Sequence, residues 1–351
     1  MSNSLLNENK SRNAAVDLLK IFALFLMIFD HAYILLLKQP APPILRFFYE
    51  IVPLSPALFL FLSGYSSAIS KAYLKRKKRL LSAAVYFAVS NIFFIVEHGF
   101  QFPHFPMATG ILSTIALLVI FTVIMGLSSE RIRFFLSFTL SVIFTIVFVI
   151  LRINKLKIFP LTYGYEPLFP TSLFGIIGFS FGLGKNQHLT KIFFLSFIGG
   201  VFGVVTRLFG IQKLFVSGGC YFTSYTFKCS NLVQNLLSGD IGRKYNVSIW
   251  NFDISCFFYV LSIVVLLVLV LEKILGNKKI AGVITLPAKY LFIHYVLHLA
   301  VLTAVYGLLA GKTLSVSVFL TVIVLLTVII YSVSILIDRI KRKNYQGISP
   351  V

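Results

Sequence analysis

A chain of 351 residues that is 58% hydrophobic and 12% charged, with a mean hydropathy of +0.92, is too apolar for a soluble domain, in which about a quarter of residues are charged. Its formal charge of +21 does not point to nucleic acid, because the basic residues cluster at the ends of apolar segments, above all at 71–79 and 339–343, where they serve as positive-inside signals and headgroup contacts. Long apolar runs recur and short alternating segments do not, which excludes a β-barrel and leaves an all-α, polytopic integral membrane protein.

In chain order, a polar start (1–12) leads into a first apolar segment. That segment is too long for a cleavable signal peptide and lacks a small-residue cleavage site, so it is expected to stay in the mature protein. About ten spans are expected, at 13–37, 52–71, 80–98, 108–127, 132–151, 168–184, 191–210, 252–271, 286–309 and 313–337. The segment 280–310 is too long for one straight span, and Pro287 marks either a break or the true helix start. An even number of spans puts both termini on one side, and the Lys and Arg excess makes that side cytoplasmic. The outer loops are then 38–51, 99–107, 152–167 and a long 211–251, which is expected to fold over the outer mouth as a lid or binding element, the alternative being a disordered connector. Cys220 and Cys229 share that loop and either pair there or stay as free thiols, and with Cys256 they form no metal spacing. No internal repeat is visible, so residues 1–351 read as a single membrane-embedded domain with short polar cytoplasmic tails, 1–12 and 338–351.

Four ionisable residues lie in the first apolar segment: Asp17, Lys20, Asp30 and His31. Each is costly in hydrocarbon, so intramembrane charge is a hypothesis of function. Lys20 and His31 are eleven residues apart. At about 100° and about 1.5 Å per residue they fall within ~20° of one face and roughly 16 Å apart along the axis. One helix therefore presents a cation and a titratable base at two depths. Asp17 and Lys20 are three apart and can pair on one face. Asp30 points about 100° away from His31 and suits a different partner. The competing structural reading makes Asp17 and Lys20 a buried ion pair and His31 an interhelical hydrogen-bonder.

The run Asp17-Leu-Leu-Lys20-Ile, followed by Met27-Ile-Phe-Asp30-His31, resembles the first helix of the transmembrane acyltransferases of the acyltransferase-3 type. Within these it is nearest the heparan-α-glucosaminide N-acetyltransferase-like group. That signature has Arg where Lys20 stands and Gly where Ile21 stands. Lysine keeps the charge and loses the planar fork that grips phosphate bidentately. Pro56-Ala-Leu-Phe-Leu-Phe-Leu-Ser63-Gly64, Gly110-Ile-Leu-Ser-Thr-Ile-Ala116 and Tyr290-Leu-Phe-Ile-His294-Tyr295-Val-Leu-His298 resemble further segments of these families, with His298 at the position of the family histidine.

The resemblance implies acyl transfer from cytosolic acyl-coenzyme A, usually acetyl, to a hydroxyl or amine of a cell-envelope saccharide or glycolipid. Acyl-coenzyme A is then a co-substrate, and no tightly bound cofactor is expected. Lys20 and Asp17 would shape the donor site together with Ser63. The Ser63 hydroxyl is also a candidate nucleophile, although close helix packing beside Gly64 is the simpler account of that pair. His31 would act as general base or transient acyl carrier, with Asp30 and His298 in support. His294, four residues from His298 on one face, and Glu97 and His98 at the end of the third span are candidates for acceptor binding. The two late histidines find no convincing third ligand, so no metal site is expected. Membrane lipids are the other expected partners, nucleic acid is not one, and the setting expected is a bacterial inner membrane. The rival reading of the same buried charges is a transporter or flippase for a lipid-linked sugar or small anion.

Overall fold

The structure is a computed structural model that describes residues 13–38, 41–52, 54–98, 110–154, 156, 158, 161, 168–184, 254–275, 282–309 and 312–346. Its helices are α1 (Ala14–Leu36), α2 (Pro43–Ile51), α3 (Leu54–Ile69), α4 (Arg76–His98), α5 (Ile111–Met125), α6 (Glu130–Ile153), α7 (Leu168–Leu183), α8 (Ile254–Leu275), α9 (Gly282–Lys289), α10 (Leu291–Leu308) and α11 (Val316–Gln346). A short 3₁₀ turn, Ala72–Leu74, precedes α4. Among the described residues the fold is all-helical apart from one isolated bridge between Leu37 and Leu314.

Among the described residues, five stretches are long and apolar enough to cross a bilayer: Ala14–Leu36, Arg76–Val96, Glu130–Leu151, Leu291–Leu308 and Val316–Lys341. Leu54–Ile69, Ile111–Met125 and Leu168–Leu183 are shorter apolar helices. Hydrocarbon offers no water to the backbone, so each helix must satisfy its peptide groups internally. Its side chains then sort by face. On α6, Ile143, Ile146 and Ile150 are exposed as a lipid-facing stripe, while Ser137, Ser141 and Phe148 are buried. The expected span 191–210, the loop 211–251 with Cys220 and Cys229, the loop 99–107 and most of 152–167 lie outside the described residues.

The structure refines three expectations. The segment expected as the loop 38–51 contains α2, which opens on Pro43, a residue whose fixed φ suits a first helical position. The tail 338–351 is helical as far as Gln346, because α11 carries its pattern past the last apolar turn into basic residues. The segment 286–309 is two helices, with Pro287 inside α9 and the break at Tyr290, whose backbone (φ −116°, ψ 28°) is not helical.

The chain divides into two compact units, residues 1–55 with 267–351, and residues 56–266. In the first, α1 packs against α2, α9, α10 and α11. Phe29 of α1 anchors this packing, its ring centroid 5.8 Å from those of Tyr33 and Phe319 and 6.2 Å from that of Phe48. Ser55 Oγ donates to the Ala23 carbonyl at 2.9 Å, and the backbone bonds Lys38 N to Leu314 O and Leu314 N to Leu36 O tie the end of α1 to the start of α11.

In the second unit α4 packs on α5, α6 on α7, and α5 on α7. A glycine seam brings α3 against α7. A Cβ on Gly64 would meet the Gly175 carbonyl and lie 2.8 Å from Phe179 N, and one on Gly178 would meet the Phe61 carbonyl. Small residues are what allow helix backbones to approach this closely in a membrane. Ser141 and Ser180 join α6 to α7 through a 3.1 Å contact between their hydroxyls.

Candidate active site

The site is built on α1. Its first turn is capped by Asn13, whose Oδ1 accepts from Ala15 N at 3.0 Å and Val16 N at 3.3 Å, satisfying amides that a helix start leaves open. The other end of the same side chain donates from Nδ2 to Glu272 Oε1 at 2.5 Å, pinning the helix start to α8. Past this cap come Asp17, which is buried, and Lys20, which is half-buried. Both have interaction partners.

Two turns from the far end of α1, Asp30 and His31 part company, as a 100° step demands. Asp30 is 4% exposed, and its Oδ1 is buried with no hydrogen-bond partner. His31 is half-buried and faces α10. There its Nδ1 lies 3.2 Å from Nε2 of His298, with ring centroids 5.2 Å apart and planes inclined by 40°. His298 is fully buried, its Nδ1 lies 3.0 Å from the His294 carbonyl oxygen, and Tyr295 stands edge-on to it at 5.5 Å. His294 is also fully buried, and its ring turns to α11, with Nε2 2.7 Å from Ser334 Oγ. Ser334 in turn donates to the Ile330 carbonyl at 2.9 Å. Two residues expected from widely separated parts of the sequence, His31 and His298, are thus in direct contact, and α10 is braced on α11 at the same level.

At the N-terminal start of α10, one turn before His294, lies a cluster that the sequence does not announce. Lys289 Nζ donates to Asp338 Oδ1 at 2.8 Å, and the Tyr290 hydroxyl donates to the same oxygen at 3.2 Å. The Lys341 ammonium stacks 4.8 Å from the centre of the Tyr290 ring. The hydrogen bond to Asp338 holds the Lys289 ammonium above its ordinary range, and burial does the same for the Tyr290 phenol. The cluster ties the α9–α10 break to α11. A lone Asp directly after the apolar run Ile335-Leu336-Ile337, at the start of the basic tail, was the available signal for it.

Ser63, Glu97 and His98 belong to the second unit. Ser63 is half-buried on α3 beside the seam glycine Gly64. Glu97 and His98 end α4, and their side chains lie outside the described residues. Cys256 is in the first turn of α8. Among the described residues no three or more His, Cys, Asp or Glu gather as metal ligands.

What the first unit offers chemically is an imidazole on an apolar helix, half open, with a second imidazole fixed behind it. A family model described as an acyltransferase domain, of the acyltransferase-3 type, matches residues 13–339. No curated protein and no solved structure matches the chain.

Proposed function

Since the chain belongs to this acyltransferase-3 family and is an integral membrane acyltransferase, we propose that it moves an acyl group, acetyl by first choice, from cytosolic acyl-coenzyme A to a hydroxyl or amine of a cell-envelope saccharide or glycolipid. The observation that carries the proposal is the His31–His298 contact on two membrane helices within the matched region. His31 is the general base. It takes the proton of the acceptor as the acceptor oxygen or nitrogen attacks the thioester carbonyl. The new C–O or C–N bond forms, the C–S bond breaks, and the proton passes from the imidazolium to the departing sulfur, so the enzyme ends neutral. Lys20, with Asp17 beside it on α1, lies about two turns from the cytoplasmic end and draws the donor's phosphates to that face.

The finer assignments belong to the same proposal and rest on the sequence: about ten spans in one membrane domain, both termini cytoplasmic, a bacterial inner membrane, and kinship with the heparan-α-glucosaminide N-acetyltransferase-like group. So do Asp30 in support of the base, Ser63 in donor binding, and Glu97, His98 and His294 in acceptor binding. The transporter reading uses the same buried charges but gives no reason for the family membership.

Purified protein incubated with label in the acetyl group of acetyl-coenzyme A and an envelope glycan extract is expected to yield labelled glycan, with free coenzyme A formed in equal amount. Coenzyme A is also expected to raise the melting temperature, since a ligand of the native state stabilises it. A protein that neither releases coenzyme A nor is stabilised by it would overturn the proposal.

A further inference from the structure

The three histidines of the first unit, read as donors and acceptors, settle where each proton sits. A carbonyl oxygen only accepts, so the 3.0 Å contact between His298 Nδ1 and the His294 carbonyl requires a proton on Nδ1. A neutral His298 then carries a lone pair on Nε2. Nε2 is 3.2 Å from His31 Nδ1, and that contact is a hydrogen bond only if the His31 nitrogen carries the proton. A proton on His298 Nε2 instead would set its bare Nδ1 against the lone pairs of the His294 carbonyl, and a bare His31 Nδ1 would face the bare Nε2 of His298, each in a buried place. His294 is fixed separately. The Ser334 hydroxyl spends its proton on the Ile330 carbonyl, so it accepts from His294 Nε2, which holds α10 against α11.

From this juxtaposition of the His294 carbonyl, His298 and His31 we propose that His298 is a positioning residue that holds His31 as its Nδ1–H tautomer, so that Nε2 is the nitrogen that works on the substrates. The proposal rests on the reading of His31 as the base and names the atom and the device that reading lacks. The second nitrogen of a working histidine is usually set by a carboxylate or a backbone carbonyl. Here the Met27 carbonyl, one turn back on α1, is one hydrogen-bond partner of the His31 ring, and a neutral imidazole, itself polarised by a helix carbonyl, is the second that favours the proton on Nδ1. Asp30, the carboxylate next in sequence, makes no bond to either ring, and its Oδ1 is unpartnered. When His31 takes a proton on Nε2, its Nδ1–H stays bonded to His298, and the charge is spread over a pair of rings. A group that holds the tautomer acts on the chemical step and leaves donor binding alone.

Two measurements test this. Protein carrying ¹⁵N in the histidine rings gives six residues' signals, and the His31 pair is identified by its loss in His31→Ala. Nδ1 of His31 is expected to show the protonated, pyrrole-type shift and Nε2 the bare one. His298→Leu removes the acceptor and is expected to lower kcat at least about tenfold with KM for acetyl-coenzyme A within about twofold. His298→Gln places an amide oxygen where Nε2 was and is expected to restore most of that loss. A His31 ring protonated on Nε2 in the unaltered protein, or a leucine variant that turns over as fast as the glutamine one, overturns the proposal. The tautomer is read on the unaltered protein, so it decides the matter even if a variant does not fold. Failure of the base reading shows differently, as undiminished turnover in His31→Ala whatever the His31 tautomer.

Discussion

Arg133 shows how a single charged side chain is accommodated inside this protein. It is 7% exposed on α6, and its guanidinium serves three acceptors: Nε donates to the Met125 carbonyl at 2.9 Å, one terminal nitrogen to the Tyr73 hydroxyl at 2.7 Å, and the other to the Ser128 carbonyl. It also lies 4.4 Å over the Tyr73 ring. Two of its acceptors cluster at the C-terminus of α5, where carbonyls are left open and a cation is favoured. Lysine has one ammonium and no fork, so Arg133→Lys leaves acceptors unmatched in a buried place. The variant is expected to lose about 2 kcal/mol, read as a lowered melting temperature in detergent. None of this was legible beforehand. The sequence announces that an ionisable residue lies in an apolar run, as it did for Asp17, Lys20, Asp30 and His31, but not which carbonyls will meet it. The same limit applies at the site. The four-residue spacing of His294 and His298 gives a common face, yet one ring goes to Ser334 and the other to His31. Contacts across 40 and 267 residues are set by packing of helices and leave no local periodicity.

Helices were the most legible level. Apolar runs of bilayer length fix where they fall, and α1, α5, α6 and α7 lie within a few residues of the expected spans. The losses came where length alone had to decide. A nine-residue helix such as α2 is too short for a span and carries prolines before it, so it passes for a loop. A proline in a long run marks a disturbance without placing it, and the break falls three residues on, at Tyr290. The glycine seam of the second unit carries its own prediction. Gly178 and Gly64 have no room for a side chain against the partner backbone, whereas a methyl added at Gly307 on α10 would find nothing within 4 Å. Gly178→Leu is therefore expected to destabilise by about 1–3 kcal/mol or more and to lower the yield of monodisperse protein. Gly307→Ala is expected to leave the melting temperature unchanged or raise it, as replacing an open helical glycine usually does. Equal effects of the two would remove the seam as an account of α3–α7 packing.

For the molecule as a whole, composition fixed the class, an all-helical membrane protein, because no soluble arrangement tolerates so few charges and so much exposed hydrocarbon side chain. Five described helices meet the length and hydropathy of a span, and the acyltransferase family match runs over most of the chain, from 13 to 339. The first-helix signature carried the function further than composition did, since buried charge alone serves transport and catalysis equally. The proposed acyl transfer depends on one side chain, His31, exchanging a proton with the acceptor and the departing thiol. The most direct test is coenzyme A release from acetyl-coenzyme A in the presence of glycan acceptor, comparing the purified protein with His31→Ala of matched melting temperature. Release is expected to fall at least about a hundredfold in the variant. Release at the unaltered rate would contradict the account.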